Sequence, residues 1–288
     1  MNKIILVNKE KDYTSRDVVN IISKIFGTKK VGHTGTLDPL ATGVLAICIG
    51  KYTKLADYIT AYDKEYIAEI ILGIKTDTGD ITGNILDTKE SNYTEEEIDN
   101  ILKIFKKSYM QTVPIYSAVK VNGKKLYEYA RENIEVELPS KMVNIMSIER
   151  TSDVVNKDNQ TIFSIKVKVS KGTYIRSLIE DIASELNTVG TMKNLIRTRQ
   201  GDFDIKDTYT LSEIKENKFE FLDETKILTE YTKIKVFGTY RQKILNGQKL
   251  INKYEDDKIV FIDEENHILA LYKVSEKDKT MIIPLKML

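Results

Sequence analysis

The sequence predicts an α+β protein with a mixed, mainly antiparallel sheet and a small β-rich C-terminal domain. Strand-like and helix-like segments interleave without the regular βαβ rhythm that parallel sheets require. The turn Asn122-Gly123, which lies between two short strand-like runs, is typical of an antiparallel hairpin. Near the C-terminus four short strand-like segments are separated by polar turns: Ile234–Phe237, Lys258–Ile262, Ile268–Lys273 and Met281–Leu285.

The composition fits a folded chain of about two domains, since 288 residues exceed the ~150 of one typical domain. A hydrophobic content of 41% with 30% charged residues excludes a disordered chain. The 44 Lys and Arg against 43 Asp and Glu give a net charge of +1, so total charge alone does not suggest a nucleic-acid partner. A single cysteine excludes a disulfide framework, and one cysteine with two histidines argues against a Cys/His zinc site.

Hydropathy bears on localisation. The longest apolar stretch, at residues 43–50, is far short of the ~20 residues that a spanning helix needs. The N-terminal apolar run, Ile4–Val7, is too short for a signal peptide. We therefore expect a cytoplasmic protein that does not enter a membrane.

The N-terminal elements follow from caps and apolar spacing. Thr14 and Ser15 are suited to cap a helix with an apolar stripe, and Gly27 is placed to end it. A Gly/Thr-rich loop precedes a run of apolar residues that predicts a fully buried strand. The expected strands here are Ile4–Val7, Val44–Ile49 and Tyr66–Ile74, with a short helix at about 53–60.

The later elements are predicted in the same way. Thr94 and Glu97 form a capping box that opens a helix at about 95–107. Apolar residues alternate with polar ones over 163–169, which predicts a half-buried strand, and its expected partner is 143–151. A helix is expected over Tyr174–Asn187, and a domain boundary near 225–234.

Charge is distributed unevenly along the chain. Residues 103–131 have a local charge of +6 and residues 164–201 of +4, whereas residues 87–100 have −5. The first basic segment also contains several tyrosines. Basic residues that neutralise phosphates, interleaved with aromatic faces for unstacked bases, favour RNA as a partner. The alternative is a surface solvated by lysines.

Three local patterns carry candidate chemistry. Asp38 lies on a glycine-rich loop before a buried strand, although Asp-Pro is also a common type I turn. Tyr66, at the start of a strand, can stack on a base or be a core residue with a polar tip. Arg176 lies in the first turn of a helix, where it can grip a carboxylate or be an exposed cation. Only seven of the 44 cations are arginines, so each marks a possible need for a planar, bidentate donor.

Taken together, the motifs resemble the TruB-type family of bacterial tRNA pseudouridine-55 synthases. The matching motifs are GHTGTLDP (32–39), LGIKTDTGD (72–80), YSAVK (116–120), KLYEYAR (125–131) and KGTYIR (171–176). They occur in the family's order over roughly residues 4–200.

The resemblance implies a pseudouridine synthase core over residues 1–230 and a PUA-like domain over residues 231–288. It implies a thumb-like, RNA-gripping insertion at about 85–140. The implied activity is isomerisation of uridine 55 in the T loop of tRNA to pseudouridine, without metal or organic cofactor. The implied partner is the T stem-loop of tRNA, and we expect a monomer without an obligatory protein partner.

The resemblance also assigns roles to residues. Asp38 is the nucleophile, Arg176 pairs with it and lowers its pKa, and Tyr66 stacks on the flipped base. Whether Asp38 adds to the base or the sugar, or stabilises a cationic or glycal-like intermediate, stays open. The implied substrate-binding residues are Lys9, His33, Asp80, Lys124, Arg131, Tyr174 and Leu195, of which Leu195 forms an apolar wall and Lys9 and Asp80 support the site or the RNA backbone.

One motif departs from the family. The family pattern Lys-Pro-x-Gly-x-(Thr/Ser)-Ser is replaced at 9–15 by KEKDYTS, with Glu10 for the proline and Asp12 for the glycine. Asp adopts left-handed backbone conformations more readily than most residues, so the turn can persist.

Two other functions are compatible with such a scaffold. One is a non-catalytic protein that binds or folds RNA, which the joint presence of Asp38, Tyr66 and Arg176 argues against. The other is the catalytic subunit of a guide-RNA-dependent synthase, and the insertion favours the stand-alone enzyme instead.

Overall fold

The computed structural model describes residues 1–288 and confirms the α+β fold class with a mainly antiparallel sheet. Its strands are β1 (Lys3–Lys9), β2 (Val31–His33), β3 (Thr42–Ile49), β4 (Lys64–Leu72), β5 (Ile74–Thr76), β6 (Ile85–Thr88), β7 (Ser108–Thr112), β8 (Lys120–Val121), β9 (Lys124–Lys125), β10 (Ser140–Arg150), β11 (Val155–Lys157), β12 (Gln160–Val169), β13 (Gly190–Gln200), β14 (Phe203–Asp204), β15 (Thr232–Lys235), β16 (Leu250–Ile251), β17 (Lys258–Ile262), β18 (Ile268–Val274) and β19 (Met281–Met287). Its α-helices are α1 (Ser15–Ile25), α2 (Ala56–Thr60), α3 (Glu95–Ile104), α4 (Leu126–Arg131), α5 (Ile175–Glu185), α6 (Leu211–Lys215) and α7 (Gly238–Leu245). None of these helices is both long and apolar enough to cross a bilayer.

The central sheet has ten strands, and its main path runs β1-β3-β13-β4-β12-β10-β7. All neighbours in this path are antiparallel except β3 and β13, which are parallel. The expected pairing of the strand at 143–151 with the strand at 163–169 is present as β10 against β12. Strand β13 lies in the middle of the sheet, between β3 and β4.

One face of this sheet is covered by helices. A cluster of 32 buried residues joins the sheet to α1, α3, α5 and α6. The stripe predicted for α1 is buried at Val18 and Ile22, and Thr14 caps that helix as expected. Burying each large aliphatic side chain contributes about 1.5–3 kcal/mol, so the amphipathic stripes fix the helices on the sheet.

The C-terminal part of the chain forms a second, five-stranded sheet in the order β15-β17-β18-β19-β16. It packs on the opposite face of β1 and β3, where Val44, Ala46 and Cys48 belong to one buried cluster with Val260 and other apolar residues of the C-terminal sheet. Strand β3 is therefore buried on both faces, which explains its uninterrupted apolar sequence.

A buried carboxylate ties the two sheets together. Glu224 accepts hydrogen bonds from Lys3 Nζ at 3.0 Å and from the Ile268 backbone N–H at 2.9 Å. The Tyr52 hydroxyl also donates to it. Each of these donors comes from a different part of the fold, so the junction is held by polar contacts as well as by apolar packing.

The segment at 85–140 is only partly separate from the central sheet. Helix α3 packs on the sheet through Ile98 and Leu102, and β7 is the last strand of the sheet's main path. The hairpin β8–β9 and helix α4 form a small unit of their own. The hairpin turn has the positive φ values that an Asn-Gly turn requires, 51° at Asn122 and 82° at Gly123.

Candidate active site

Asp38 lies on the loop between β2 and β3. Its backbone carbonyl accepts a hydrogen bond from Ala41 N–H at 3.1 Å, which is the turn that the Asp-Pro sequence predicts. The loop is also anchored to helix α1, because the Leu37 N–H donates to Ser15 Oγ at 2.9 Å. Asp38 can therefore form the turn and also present its carboxylate to the cavity, since the turn uses only backbone atoms.

Arg176 grips the Asp38 carboxylate at two points. Its Nε lies 3.0 Å from Asp38 Oδ2, and its Nη2 donates to Asp38 Oδ1 at 3.3 Å. The Asp38 side chain is 32% exposed, whereas that of Arg176 is 6% exposed. The guanidinium is therefore buried behind the carboxylate, and the carboxylate faces the solvent.

Two further donors of Arg176 bind backbone carbonyl oxygens. Its Nη1 donates to the Thr78 carbonyl oxygen at 2.8 Å, and Nη2 donates to the Tyr116 carbonyl oxygen at 3.0 Å. These acceptors lie on the loop after β5 and on the segment before the β8–β9 hairpin. One side chain thus joins the Asp38 loop to two other parts of the fold.

The pKa of Asp38 does not lie below its ordinary value, as pairing with Arg176 alone would predict. Burial raises the pKa of the Asp38 carboxyl above its ordinary value, and the Arg176 guanidinium, the next largest influence, acts to lower it. Asp80 adds to the rise and Lys9 opposes it. Arg176 acts on the pKa in the expected direction, but loss of water from the carboxylate outweighs it.

Lys9 lies under the Asp38 loop and is fully buried. Its Nζ donates to the carbonyl oxygens of Glu10, Tyr13 and Pro39 at 2.9, 2.6 and 3.2 Å. Burial lowers the pKa of Lys9 to about 8. Asp12 adopts the left-handed conformation, with φ of 69°, so the turn persists without the family's glycine.

A cavity of about 420 Å³ opens in front of Asp38. This volume is in the range of pockets that hold small ligands. Its lining combines Asp38, Arg176, Tyr66, Tyr174 and Leu195, which are five of the ten residues singled out in the sequence. Tyr66 of β4 and Leu195 of β13 come from adjacent strands, whereas Tyr174 precedes α5.

The other five singled-out residues lie outside the cavity. Lys9 supports the loop from below, and His33 accepts a hydrogen bond from the Gly35 N–H at 3.3 Å. Burial lowers the pKa of His33, and the nearby Arg16 and Arg197 lower it further. Asp80 is buried and accepts hydrogen bonds from Thr82.

Lys124 and Arg131 lie on the hairpin and on α4. The Lys124 ammonium pairs with Glu132 and lies 4.9 Å from the centre of the Tyr129 ring. The Arg131 guanidinium lies 5.2 Å from the centre of the Tyr127 ring. Tyr127 itself lines the cavity, so this basic, aromatic surface continues to the cavity's edge.

Two cationic residues in the cavity wall were not predicted from the sequence. Arg197 is 1% exposed, and it donates to the carbonyl oxygens of Val44 and Gly35 at 2.6 and 3.1 Å. Lys64 donates to two carbonyl oxygens at 2.6 Å, and burial lowers its pKa to about 8. The scarcity of arginine was the one sequence signal that included Arg197.

The family comparisons define the class of this protein as a pseudouridylate synthase. Residues 23–175 match the family model described as TruB family pseudouridylate synthase (N terminal domain). Residues 176–232 match the model described as tRNA pseudouridylate synthase B C-terminal domain.

Curated relatives cover the whole chain. The proteins named tRNA pseudouridine synthase B from Staphylococcus aureus strains Newman and JH9 are each 43% identical to it, over 99% of this chain and 98% of the relative. The chain belongs to the TruB family of pseudouridylate synthases, as the motifs indicate.

Solved structures share the fold. A Cbf5-Nop10-Gar1 complex contains a chain that superposes with a TM-score of 0.71 at 23% identity, covering 98% of this chain and 83% of that one. An H/ACA RNP bound to a substrate RNA containing 2'-deoxyuridine gives a TM-score of 0.70 at 22% identity, covering 99% and 84%. At this identity the likeness concerns the fold alone.

Proposed function

We propose that this protein isomerises uridine 55 in the T loop of tRNA to pseudouridine, with Asp38 as the nucleophile. The observation that carries the proposal is the two-point pairing of Asp38 with Arg176 at the cavity that Tyr66, Tyr174 and Leu195 line. The names of the S. aureus relatives support tRNA as the substrate.

The reaction breaks the bond between N1 of uracil and C1′ of the ribose and forms a bond between C5 and C1′. The hydrogen on C5 is lost to solvent and N1 gains a proton, so no electrons leave the substrate. Asp38 acts on the extruded nucleotide, and Arg176 keeps its carboxylate oriented. Tyr66 stacks on the uracil, and Leu195 forms an apolar wall that helps to retain it. Extrusion costs a few kcal/mol, which stacking and phosphate contacts offset.

The binding of tRNA rests on residues outside the cavity. Lys124 and Arg131 contact the T stem-loop from the insertion. Arg131 lies over the ring of Tyr127, which lines the cavity, and Lys124 lies over the ring of Tyr129 on the same helix. Lys9, His33 and Asp80 hold the loops around the site in place. Residues 1–230 form the catalytic domain and residues 231–288 a PUA-like domain, and the enzyme acts in the cytoplasm as a monomer without a protein partner.

Tritium release from tRNA labelled at C5 of uridine tests the proposal. The purified protein should release label from a tRNA transcript and from a bare T-arm stem-loop, but not from a transcript with cytidine at position 55. Asp38→Asn should bind both RNAs and release nothing. Release by this variant would refute the role of Asp38, and release from the cytidine-55 transcript would refute the target position.

A further inference from the structure

Ser117 has a buried hydroxyl that the contacts described so far do not use. The residue is 6% exposed, and its Oγ meets no hydrogen-bond partner within the protein. Burying a hydroxyl without a partner destabilises the folded state. Such a group in the lining of a candidate active site calls for an explanation, because most buried polar groups are paired.

The backbone around Ser117 is fixed on both sides. Its N–H donates to the Ile115 carbonyl oxygen at 2.9 Å, and its carbonyl oxygen accepts from the Tyr127 N–H at 3.1 Å. The preceding carbonyl, of Tyr116, accepts from Arg176. The position of the Ser117 backbone is therefore fixed, and the segment that contains it contacts Arg176 through the Tyr116 carbonyl oxygen.

Ser117 and Tyr174 both line the cavity in front of Asp38. Burial raises the pKa of Tyr174 and the Ser117 hydroxyl opposes this rise, although Ser117 Oγ is not in hydrogen-bond geometry with any protein atom. The backbone of Tyr174 is clamped by Gln111, which accepts from its N–H at 2.8 Å and donates to its carbonyl oxygen at 3.1 Å. The Lys141 ammonium lies 4.3 Å from the centre of the Tyr174 ring.

Backbone and ring of Tyr174 are thus held by β7 and β10, whereas the direction of its O–H bond is not determined by these contacts. A phenol that accepts a hydrogen bond directs its own proton elsewhere, and linked hydrogen bonds strengthen one another. A donor next to the phenol oxygen would therefore aim the Tyr174 proton at the cavity.

We propose that Ser117 is a positioning residue that donates a hydrogen bond to Tyr174 Oη when RNA is bound, so that the Tyr174 O–H donates to an oxygen of the extruded nucleotide. The inference rests on the proposed function and deepens it. The insertion then supplies a part of the active site, in addition to a surface for the RNA. The acceptor oxygen belongs either to the uracil or to the ribose 2′-hydroxyl, which present the same chemistry to a phenol.

Kinetics of Ser117→Ala, Tyr174→Phe and the double variant test the coupling. Loss of one neutral hydrogen bond in the transition state predicts that Ser117→Ala lowers the single-turnover rate on a T-arm stem-loop about two- to tenfold. Tyr174→Phe should lower the rate by at least as much, and Ser117→Ala should have no further effect in that background. Ser212→Ala, an exposed serine on α6, is the matched control and should leave the rate unchanged.

Stability separates positioning from a structural role. Because the Ser117 hydroxyl has no partner in the free protein, its removal should leave Tm unchanged or raise it. A lowered Tm with an unchanged single-turnover rate would overturn the proposal, and so would independent effects of the two substitutions. A substrate with 2′-deoxyuridine at the target position identifies the acceptor. If the ribose is the acceptor, Ser117→Ala has no effect on that substrate, and if the uracil is, the effect persists.

A spectroscopic measurement keeps this inference separate from the proposed function. In protein with carbon-13 at the tyrosine ring Cζ, the Tyr174 signal is the one lost in Tyr174→Phe. We expect Ser117→Ala to shift this signal when T-arm RNA is bound and to leave it nearly unchanged in the free protein. An unshifted signal in the RNA-bound protein overturns the role of Ser117, whereas absence of pseudouridine from the wild-type reaction overturns the proposed function.

Discussion

Replacing Arg176 with lysine tests the reasoning about the site most directly. Arginine reaches both Asp38 oxygens, at 3.0 and 3.3 Å, and two backbone carbonyls, at 2.8 and 3.0 Å, from one rigid plane. Lysine retains the charge but offers one donor atom on a flexible chain. It can keep a single contact with Asp38 and cannot hold the carboxylate in a fixed orientation.

The size of the effect follows from the contacts that are lost. A hydrogen bond to a charged group contributes about 1.5–3 kcal/mol, and about 1.4 kcal/mol corresponds to a tenfold change in rate. If one of the two bonds to Asp38 is lost in the transition state, the rate falls about 10- to 150-fold. Binding of tRNA should change little, because phosphate contacts dominate affinity and the residues proposed to make them, Lys124 and Arg131, lie outside the cavity.

The assay is single-turnover release of tritium from labelled T-arm RNA, with RNA affinity measured by filter binding. Arg199→Lys is a matched control, because Arg199 Nε pairs with Asp204 at 3.3 Å on the surface of the same domain. Arg199→Lys should keep the wild-type rate. A near-normal rate for Arg176→Lys, or an equal loss for both variants, would refute the proposed positioning of Asp38.

Three further predictions concern pH, RNA binding and backbone geometry. Burial raises the pKa of Asp38 above the ordinary aspartate value of ~3.9. The single-turnover rate should therefore fall as the pH decreases through a midpoint above that ordinary value. A midpoint at or below the ordinary value would contradict the role of Asp38. The double variant Lys124→Ala/Lys125→Ala should bind tRNA more weakly, and each lost phosphate contact should reduce the salt-dependence slope by ~0.9 or less; an unchanged slope, or an equal change in the control Lys215→Ala on α6, would argue against the insertion as an RNA-binding surface. Gly43→Ala should lower Tm and activity, since a Cβ there would lie 2.2 Å from the Arg197 carbonyl oxygen. Gly123→Ala, also at positive φ but with open space around it, should cost only the backbone strain of about 1–3 kcal/mol. Equal shifts in Tm for the two variants would show that the clash at Gly43 has no effect.

Much of the site could be predicted because its residues carry local signals. Asp38 follows a glycine-rich loop and Arg176 begins a helix, and both occur in motifs of one family. Their contact could not be predicted from their spacing, since the two residues are 138 positions apart in the sequence and only the folded sheet brings them together. The rise in the pKa of Asp38 depends on the same long-range burial.

The strand β13 shows where pattern reasoning fails. Polar residues interrupt the sequence at Gly190–Gln200, so no alternation predicts a strand there, although β13 lies in the middle of the central sheet. Its register against β4 places Arg197 beside Tyr66 and Leu195 beside Ala68. The pairing of β13 with β4 brings Arg197 into the cavity wall. That Arg197 is one of only seven arginines could not predict this position.

The double burial of β3 places one strand in the hydrophobic cores of both sheets. One face of this strand belongs to the helix-covered core, and the other face contacts the apolar residues of the C-terminal sheet. Removal of the C-terminal sheet would uncover Val44, Ala46 and Cys48 along the strand that directly follows the Asp38 loop. A substitution that loosens the C-terminal sheet should therefore also disturb the Asp38 loop, whether or not that sheet touches RNA.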